Sequence, residues 1–391
     1  MIYFDNSATT APCREALDAI TSVLTENWGN PSSAHFAGVE ARRALESAKL
    51  RVARSIGMKR LTDGKLFFTS GGTEANNLAI LGSVYSKERP VRGTSRGTVI
   101  ISDGEHASVS AAADKLEKDG FRVYRIPTAG GALDLDALAA NVTRDTVIAP
   151  IMRVNNETGA VYDVKNAFRI IKDAAPDAVL HSDCVQAYMK MKLTPLDLGA
   201  DMISLSAHKI FSAKGAGALS VSNGIIKARK ISPVLFGGGQ EDGYRSGTEA
   251  LPAIAGFGAA AALGEAELSR RMSACGELGD YATKKLSALD GVRLNLPAER
   301  IPNILSVTVP GIKSETLLNY LSGEGICVSK SSACSTRSRA LSPALLAFGL
   351  SPEDVDSTVR LSFSHLNTKE EIDIFCDVLS KGIASLSRIR K

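Results

Sequence analysis

A chain of 391 residues is long for a single hydrophobic core, so one large domain with a smaller companion is expected. Its 44% apolar and 23% charged residues argue against a disordered chain, and 46 basic against 42 acidic residues (net charge +4) are too evenly matched for a nucleic-acid footprint. Six scattered cysteines without a Cys-x-x-Cys pair argue against a metal site or dithiol motif. The first residues lack the basic and apolar stretches of a secretory signal, and the weakly polar stretch 250–264 is shorter than the roughly 20 residues that cross a bilayer. No membrane contact and a reducing cytoplasm are expected.

Strands and helices alternate from residue 65 onward. Strands are predicted at 65–69, 98–102, 121–126, 147–152, 178–183, 202–206 and 216–221. Helices are predicted at 73–85, 107–118, 135–140 and 164–174. That order predicts a mostly parallel sheet flanked by helices. A long helical stretch at 254–289 leads into a second pattern, with strands at 304–309 and 359–363 and helices at 314–322 and 369–385. The expected division is 15–255 for a large α/β domain, with 1–14 and 256–391 forming a smaller α+β domain. The basic segment 87–97 reads as a solvated loop.

Chemistry-bearing residues cluster where these strands end. Thr69-Ser70-Gly71-Gly72-Thr73-Glu74 joins a strand to a helix, where glycines and free N–H groups suit a phosphate. It is not a P-loop, and the same residues make an ordinary helix start. Glu105-His106 follows the next strand; a histidine there can lie over a flat ligand and shuttle protons, or simply cap a helix. Asn155-Asn156-Glu157-Thr158-Gly159 is a turn whose amides could reach a ligand. Asp183-Cys184-Val185-Gln186 and Ser206-Ala207-His208-Lys209 end two buried strands. A carboxylate and a lysine at the carboxyl ends of one sheet are what pyridoxal phosphate needs, the lysine for a Schiff base and the aspartate for the ring nitrogen. The small polar run 329–336 carries Cys334, with Lys330, Arg337 and Arg339 nearby to favour a thiolate. Arg360 lies in a strand and suits a carboxylate clamp or a salt bridge.

Taken in order, these segments resemble the cysteine desulfurases, pyridoxal phosphate enzymes of the aminotransferase fold (fold type I, class V). The resemblance also takes in Asp5-Asn6-Ser7-Ala8-Thr9-Thr10, Gly29-Asn30-Pro31-Ser32-Ser33-Ala34-His35, Gly237-Gly238-Gly239-Gln240-Glu241 and Arg245-Ser246-Gly247-Thr248. It implies that Lys209 is the Schiff-base lysine, that Asp183 pairs with the ring nitrogen and that Gln186 bonds the cofactor's phenolic oxygen. His106 would stack on the ring and carry protons. Gly72, Thr73, Ser206 and His208 would hold the phosphate, and Thr248 would reach the phosphate of a neighbouring subunit in a homodimer. Asn156 and Arg360 would bind the substrate, and Cys334 would be the nucleophile on an extended mobile loop at about 329–340. The implied activity takes sulfur from L-cysteine, leaving L-alanine and a persulfide on Cys334 for a sulfur-acceptor protein. Selenocysteine lyase and a catalytically silent scaffold are the alternatives. Retention of both Lys209 and Cys334 speaks against the scaffold.

Overall fold

The computed structural model describes residues 1–86, 96–330 and 341–388. A first short strand, β1 (Ile2–Tyr3), anchors the N-terminus in the C-terminal part of the chain. The central sheet follows: β2 (Gly64–Thr69), β3 (Thr98–Ser102), β4 (Arg122–Ile126), β5 (Thr146–Pro150), β6 (Val179–Asp183), β7 (Met202–Ser206) and β8 (Gly217–Ser222). Their order is β2-β8-β7-β6-β5-β3-β4. The five strands from β7 to β4 pair in parallel, whereas β8 runs antiparallel to both its neighbours. The connection between β7 and β8 holds only a single 3-10 turn, Ala207–Lys209, too little for the crossover a parallel return requires. Strands β3, β6 and β7 are buried at every position, as expected of a sheet covered on both faces.

The second sheet joins β9 (Arg293–Asn295), β10 (Ile304–Thr308), β12 (Ser329–Lys330) and β13 (Thr358–Ser362) in the antiparallel order β12-β13-β10-β9, and β11 (Ile326–Cys327) pairs with β1. Phe4 brings the N-terminus into this core, meeting the edges of Phe363 and Phe375 at 5.1 and 5.8 Å between ring centres.

One helix, Leu251–Ser287, serves both cores. At 37 residues it is roughly 55 Å long. Leu251, Ile254 and Phe257 lie in the core under the central sheet, while Leu278, Ala282 and Leu286 lie in the core of the smaller one. The expected boundary at 255/256 falls inside this helix. Its N-terminal half packs on helices Arg14–Thr25 and Phe36–Arg54, neither of which the sequence pattern revealed. A Cβ on Gly258 would sit 2.7 Å from Ala48 Cα, so glycine is what lets these helices approach. Among the described residues, no helix is long and apolar enough to cross a membrane.

Candidate active site

Asp183 ends β6 beside β7 and is only 6% exposed. A carboxylate this deep needs hydrogen-bond donors. It has two: Asn76 Nδ2 donates to Oδ2 at 2.7 Å, and the Val185 N–H donates to Oδ1 at 2.9 Å. The same Asn76 amide donates to Ser108 Oγ at 2.8 Å, and Ser108 Oγ lies 2.8 Å from His106 Nδ1. Asp183 and His106 therefore belong to one hydrogen-bonded chain. His106 also caps the helix Ala107–Lys118, its Nδ1 accepting from the Ser108 N–H at 3.1 Å. An Nδ1 that accepts places the proton of the neutral imidazole on Nε2.

The opposite end of the site is an anion cradle. Gly71 and Gly72 open the helix Gly72–Val84, whose first N–H groups have no partner within the helix. A Cβ on Gly72 would lie 2.7 Å from Val185 Cγ2, so only glycine lets this turn approach the segment after Asp183. Thr73 is exposed on the first turn. Ser206 Oγ is buried without a hydrogen-bond partner, an arrangement that costs about 1–3 kcal/mol and that a phosphate oxygen would relieve. His208 Nδ1 lies 3.2 Å from Thr9 Oγ1. Burial, reinforced by Lys209 and Lys214, pulls this imidazole down to about 4, so it is neutral at pH 7. Glu74 could have opposed an anion here but is turned aside. It accepts from the Ser70 N–H at 2.8 Å and pairs with Arg245 at 2.8 Å. Burial raises its carboxyl, yet these bonds outweigh burial and hold it below the usual range.

Lys209 extends under the N-terminal segment, where its ammonium donates to the carbonyls of Ser7 and, at 2.8 Å, Ala8. Gln186 Nε2 donates to the same Ser7 carbonyl at 2.9 Å, and Gln186 Oε1 accepts from Lys190 Nζ at 2.5 Å. The buried carboxylate, the amine, the histidine and the cradle have donors and acceptors of the kinds pyridoxal phosphate presents, so these residues fit the group.

Arg360 is 3% exposed and lies on β13. It pairs with Asp5 Oδ1 at 2.8 Å and donates through Nη1 to the Asn156 carbonyl at 2.8 Å, while its Nε is buried without a partner. An unmet N–H on a buried guanidinium is where a substrate carboxylate gains most. Ser329 Oγ joins the same Asp5 oxygen at 2.6 Å, and Ser342 Oγ donates to Glu157 Oε2 at 2.6 Å. The residues flanking 331–340 are thus tied to groups beside Arg360, Ser329 through Asp5 and Ser342 through Glu157, the neighbour of Asn156. Asn155 is structural: its Oδ1 accepts from Glu157 N, Thr158 N and Thr158 Oγ1, holding the turn that carries Asn156.

Two buried carboxyls border this site. Burial pushes Glu105 up to about 8, against hydrogen bonds from Ser102 Oγ (2.6 Å) and Met152 N (2.8 Å) to Oε1. Burial likewise raises Glu157 to about 7, opposed by Ser342, Arg360 and His106. A carboxyl whose folded pKa lies above its unfolded one keeps its proton in the native state where the unfolded chain has lost it. Its stabilising contribution is complete below about 4.5 and disappears as pH rises through about 8 for Glu105. Glu105→Gln retains an acceptor for Ser102 and Met152 but has no charge to bury. Its stability, measured by urea unfolding, should fall less between pH 6 and 8.5 than that of the parent, by roughly 1–3 kcal/mol. Superimposable profiles would remove Glu105 as the titrating group.

The structure gathers Asp183, His106, Gly72, Ser206, His208, Lys209 and Gln186 around the carboxyl ends of β6 and β7, with Arg360 and Asn156 bonded to each other. Thr248 is exposed, on a segment tied to the cradle through the Arg245–Glu74 pair. Cys334 lies outside the described residues, as do most of its proposed loop and most of the basic segment 87–97. Sequence reasoning gave no role to Asn76, Ser108, Asp5, Lys190 or Ser342. Lys190 and Ser108 had local signals, their spacings of four residues from Gln186 and two from His106.

An amine, a paired carboxylate and an open helix N-terminus at one edge of a largely parallel sheet define a pyridoxal phosphate enzyme of the aminotransferase fold. The chain belongs to the aminotransferase class-V family, whose model matches residues 2–375. It is similar to cysteine desulfurase IscS of Dictyoglomus turgidum, with 35% identity over 391 residues, covering 99% of this chain and 96% of the relative. Among solved structures, a NifS-like protein matches with a TM-score of 0.88 and 33% identity over 99% of each chain. A structure of SspA in complex with cysteine matches with a TM-score of 0.79 and 28% identity, over 94% of this chain and 100% of that one.

Proposed function

We propose that this chain is a cysteine desulfurase that converts L-cysteine to L-alanine and keeps the sulfur as a persulfide on Cys334. The observation that carries this reading is Arg360, a buried guanidinium with an unmet N–H on the same site as Lys209 and the hydrogen-bonded Asp183. It supports an amino-acid substrate held by its carboxylate. Relatives named as cysteine desulfurases, and a structural neighbour solved with cysteine, support the identity of that substrate.

Pyridoxal phosphate, when bound, supplies the carbonyl that captures the amino group and a ring that accepts electrons from the substrate's α-carbon. Lys209 would hold it covalently, with Asp183 on the ring nitrogen, Gln186 on the phenolic oxygen and His106 against the ring. Gly72, Thr73, Ser206 and His208 would hold the phosphate. Asn76 and the Val185 N–H keep the Asp183 carboxylate oriented. The Lys209 amine would be the group in place to take the substrate's α-proton, and His106 Nε2 would be a second proton carrier. Arg360 and Asn156 orient the substrate. The Cys334 thiolate attacks the substrate sulfur. The balance needs no oxidant: one carbon–sulfur bond breaks, one sulfur–sulfur bond forms, and L-cysteine plus thiol becomes L-alanine plus persulfide. A sulfur-acceptor protein then takes the terminal sulfur.

A homodimer with shared sites is part of this reading. Exposed Thr248 follows a segment whose Phe236 is 83% exposed, and Trp28 and Phe36 are also uncovered in the single chain. Large apolar side chains left in water support a partner surface. The test is to incubate the protein with L-cysteine and a thiol reductant. Alanine and sulfide should appear in equal amounts. Pyruvate and ammonia would replace the reading with β-elimination, and turnover of selenocysteine alone would favour a lyase.

A further inference from the structure

Lys190 is a second lysine beside Lys209 with no role in the chemistry above. It sits in the helical turn that follows β6, four residues after Gln186, where Tyr188 N and Met191 N donate back to Cys184 and Ala187. Its Nζ donates to Gln186 Oε1 at 2.5 Å, and among the described residues it has no carboxylate partner. The titratable groups that face it are two cations, Lys209 after β7 and Arg360 on β13, with the neutral His208 imidazole and the Cys275 thiol of the Leu251–Ser287 helix. A cavity of about 30 Å³, room for a water or two, is lined by Lys190 and Lys209 together with Arg271 and His365. Burial, added to by Lys209 and Arg360, pulls the Lys190 ammonium down to about 7. An ammonium crowded by cations and bonded to one neutral amide is a poor stabilising device.

Its geometry has another use. An ammonium has donors only, so it obliges Gln186 to turn its carbonyl oxygen toward Lys190 and its NH2 toward Ser7, the carbonyl that Lys209 also contacts. We propose that Lys190 is a positioning residue of the cofactor site: it locks the Gln186 amide with its donors toward the Lys209 side, and its charge favours the anionic form of the lysine-bound cofactor. The inference rests on the pyridoxal phosphate reading. Without Lys190 the amide is free to flip and present an acceptor to the phenolic oxygen.

The experiment is a pH titration of the visible absorption of the holoenzyme, with cofactor affinity measured alongside. Lys190→Met should raise the apparent pKa of the lysine-bound cofactor by about one unit and weaken cofactor binding roughly tenfold. Lys190→Arg, which keeps charge and donors, should restore most of both. Lys190→Gln, which keeps a donor without charge, should retain affinity but not the titration, and it serves if the methionine variant fails to fold. A yellow Lys190→Met or Lys190→Gln protein that titrates with the parent overturns the proposal. A parent protein that never yellows with pyridoxal phosphate overturns the cofactor reading instead.

Discussion

Replacing Cys334 with alanine is expected to leave a yellow protein that forms neither alanine nor sulfide, its turnover of L-cysteine reduced at least a thousandfold. The substrate sulfur needs an acceptor, and the substitution removes the thiol that the sequence resemblance identifies as that acceptor. Lys330, Arg337 and Arg339 near it in sequence would help keep it ionised. None of the groups proposed to hold the cofactor is touched, so the spectrum of the bound cofactor should persist. Binding and sulfur transfer therefore separate. A variant that still releases sulfide at more than a few per cent of the parent rate would remove the persulfide role from Cys334.

Lys209→Ala should be deeper in effect and different in signature. The lysine-dependent visible band should vanish, and turnover should fall by roughly 10⁵-fold or more, because a tethered amine has no equal in a diffusing one. The fold should survive. Lys209 contacts the carbonyls of Ser7 and Ala8, and the Ser7 carbonyl retains its bond from Gln186. The loss is then of the order of one hydrogen bond, about 0.5–1.5 kcal/mol. Absorption and thermal unfolding measured together check the prediction. A persistent band with an unchanged spectrum would assign the Schiff base to another amine, with Lys190 the first to examine.

The apolar runs of β3, β6 and β7 declared themselves in sequence because they are buried on both faces, and their ends carry Asp183 and Ser206. The helix Phe36–Arg54 did not. Its buried face is largely Gly38, Ala41, Ala48 and Ala53, too small to contrast with the polar face. The reversal of β8 follows from the brevity of its connection and not from any residue within it. Within the site, the strand-end residues were legible, but their supports were not. Asn76 meets Asp183 across 107 positions and Glu157 meets Ser342 across 185, pairs that no local pattern announces.

Anchoring both flanks of 331–340 around Arg360 has a kinetic consequence. Cys334 is the fifth residue after Ser329, which is bonded to Asp5. A fully extended chain of that length spans roughly 17 Å. On the proposal that Cys334 is the nucleophile, the covalent chain keeps its thiol within that reach whatever the amount of enzyme in solution. Sulfur capture would then be intramolecular: the first step should be independent of protein concentration, and dilute free thiols should compete only for the persulfide once it has formed.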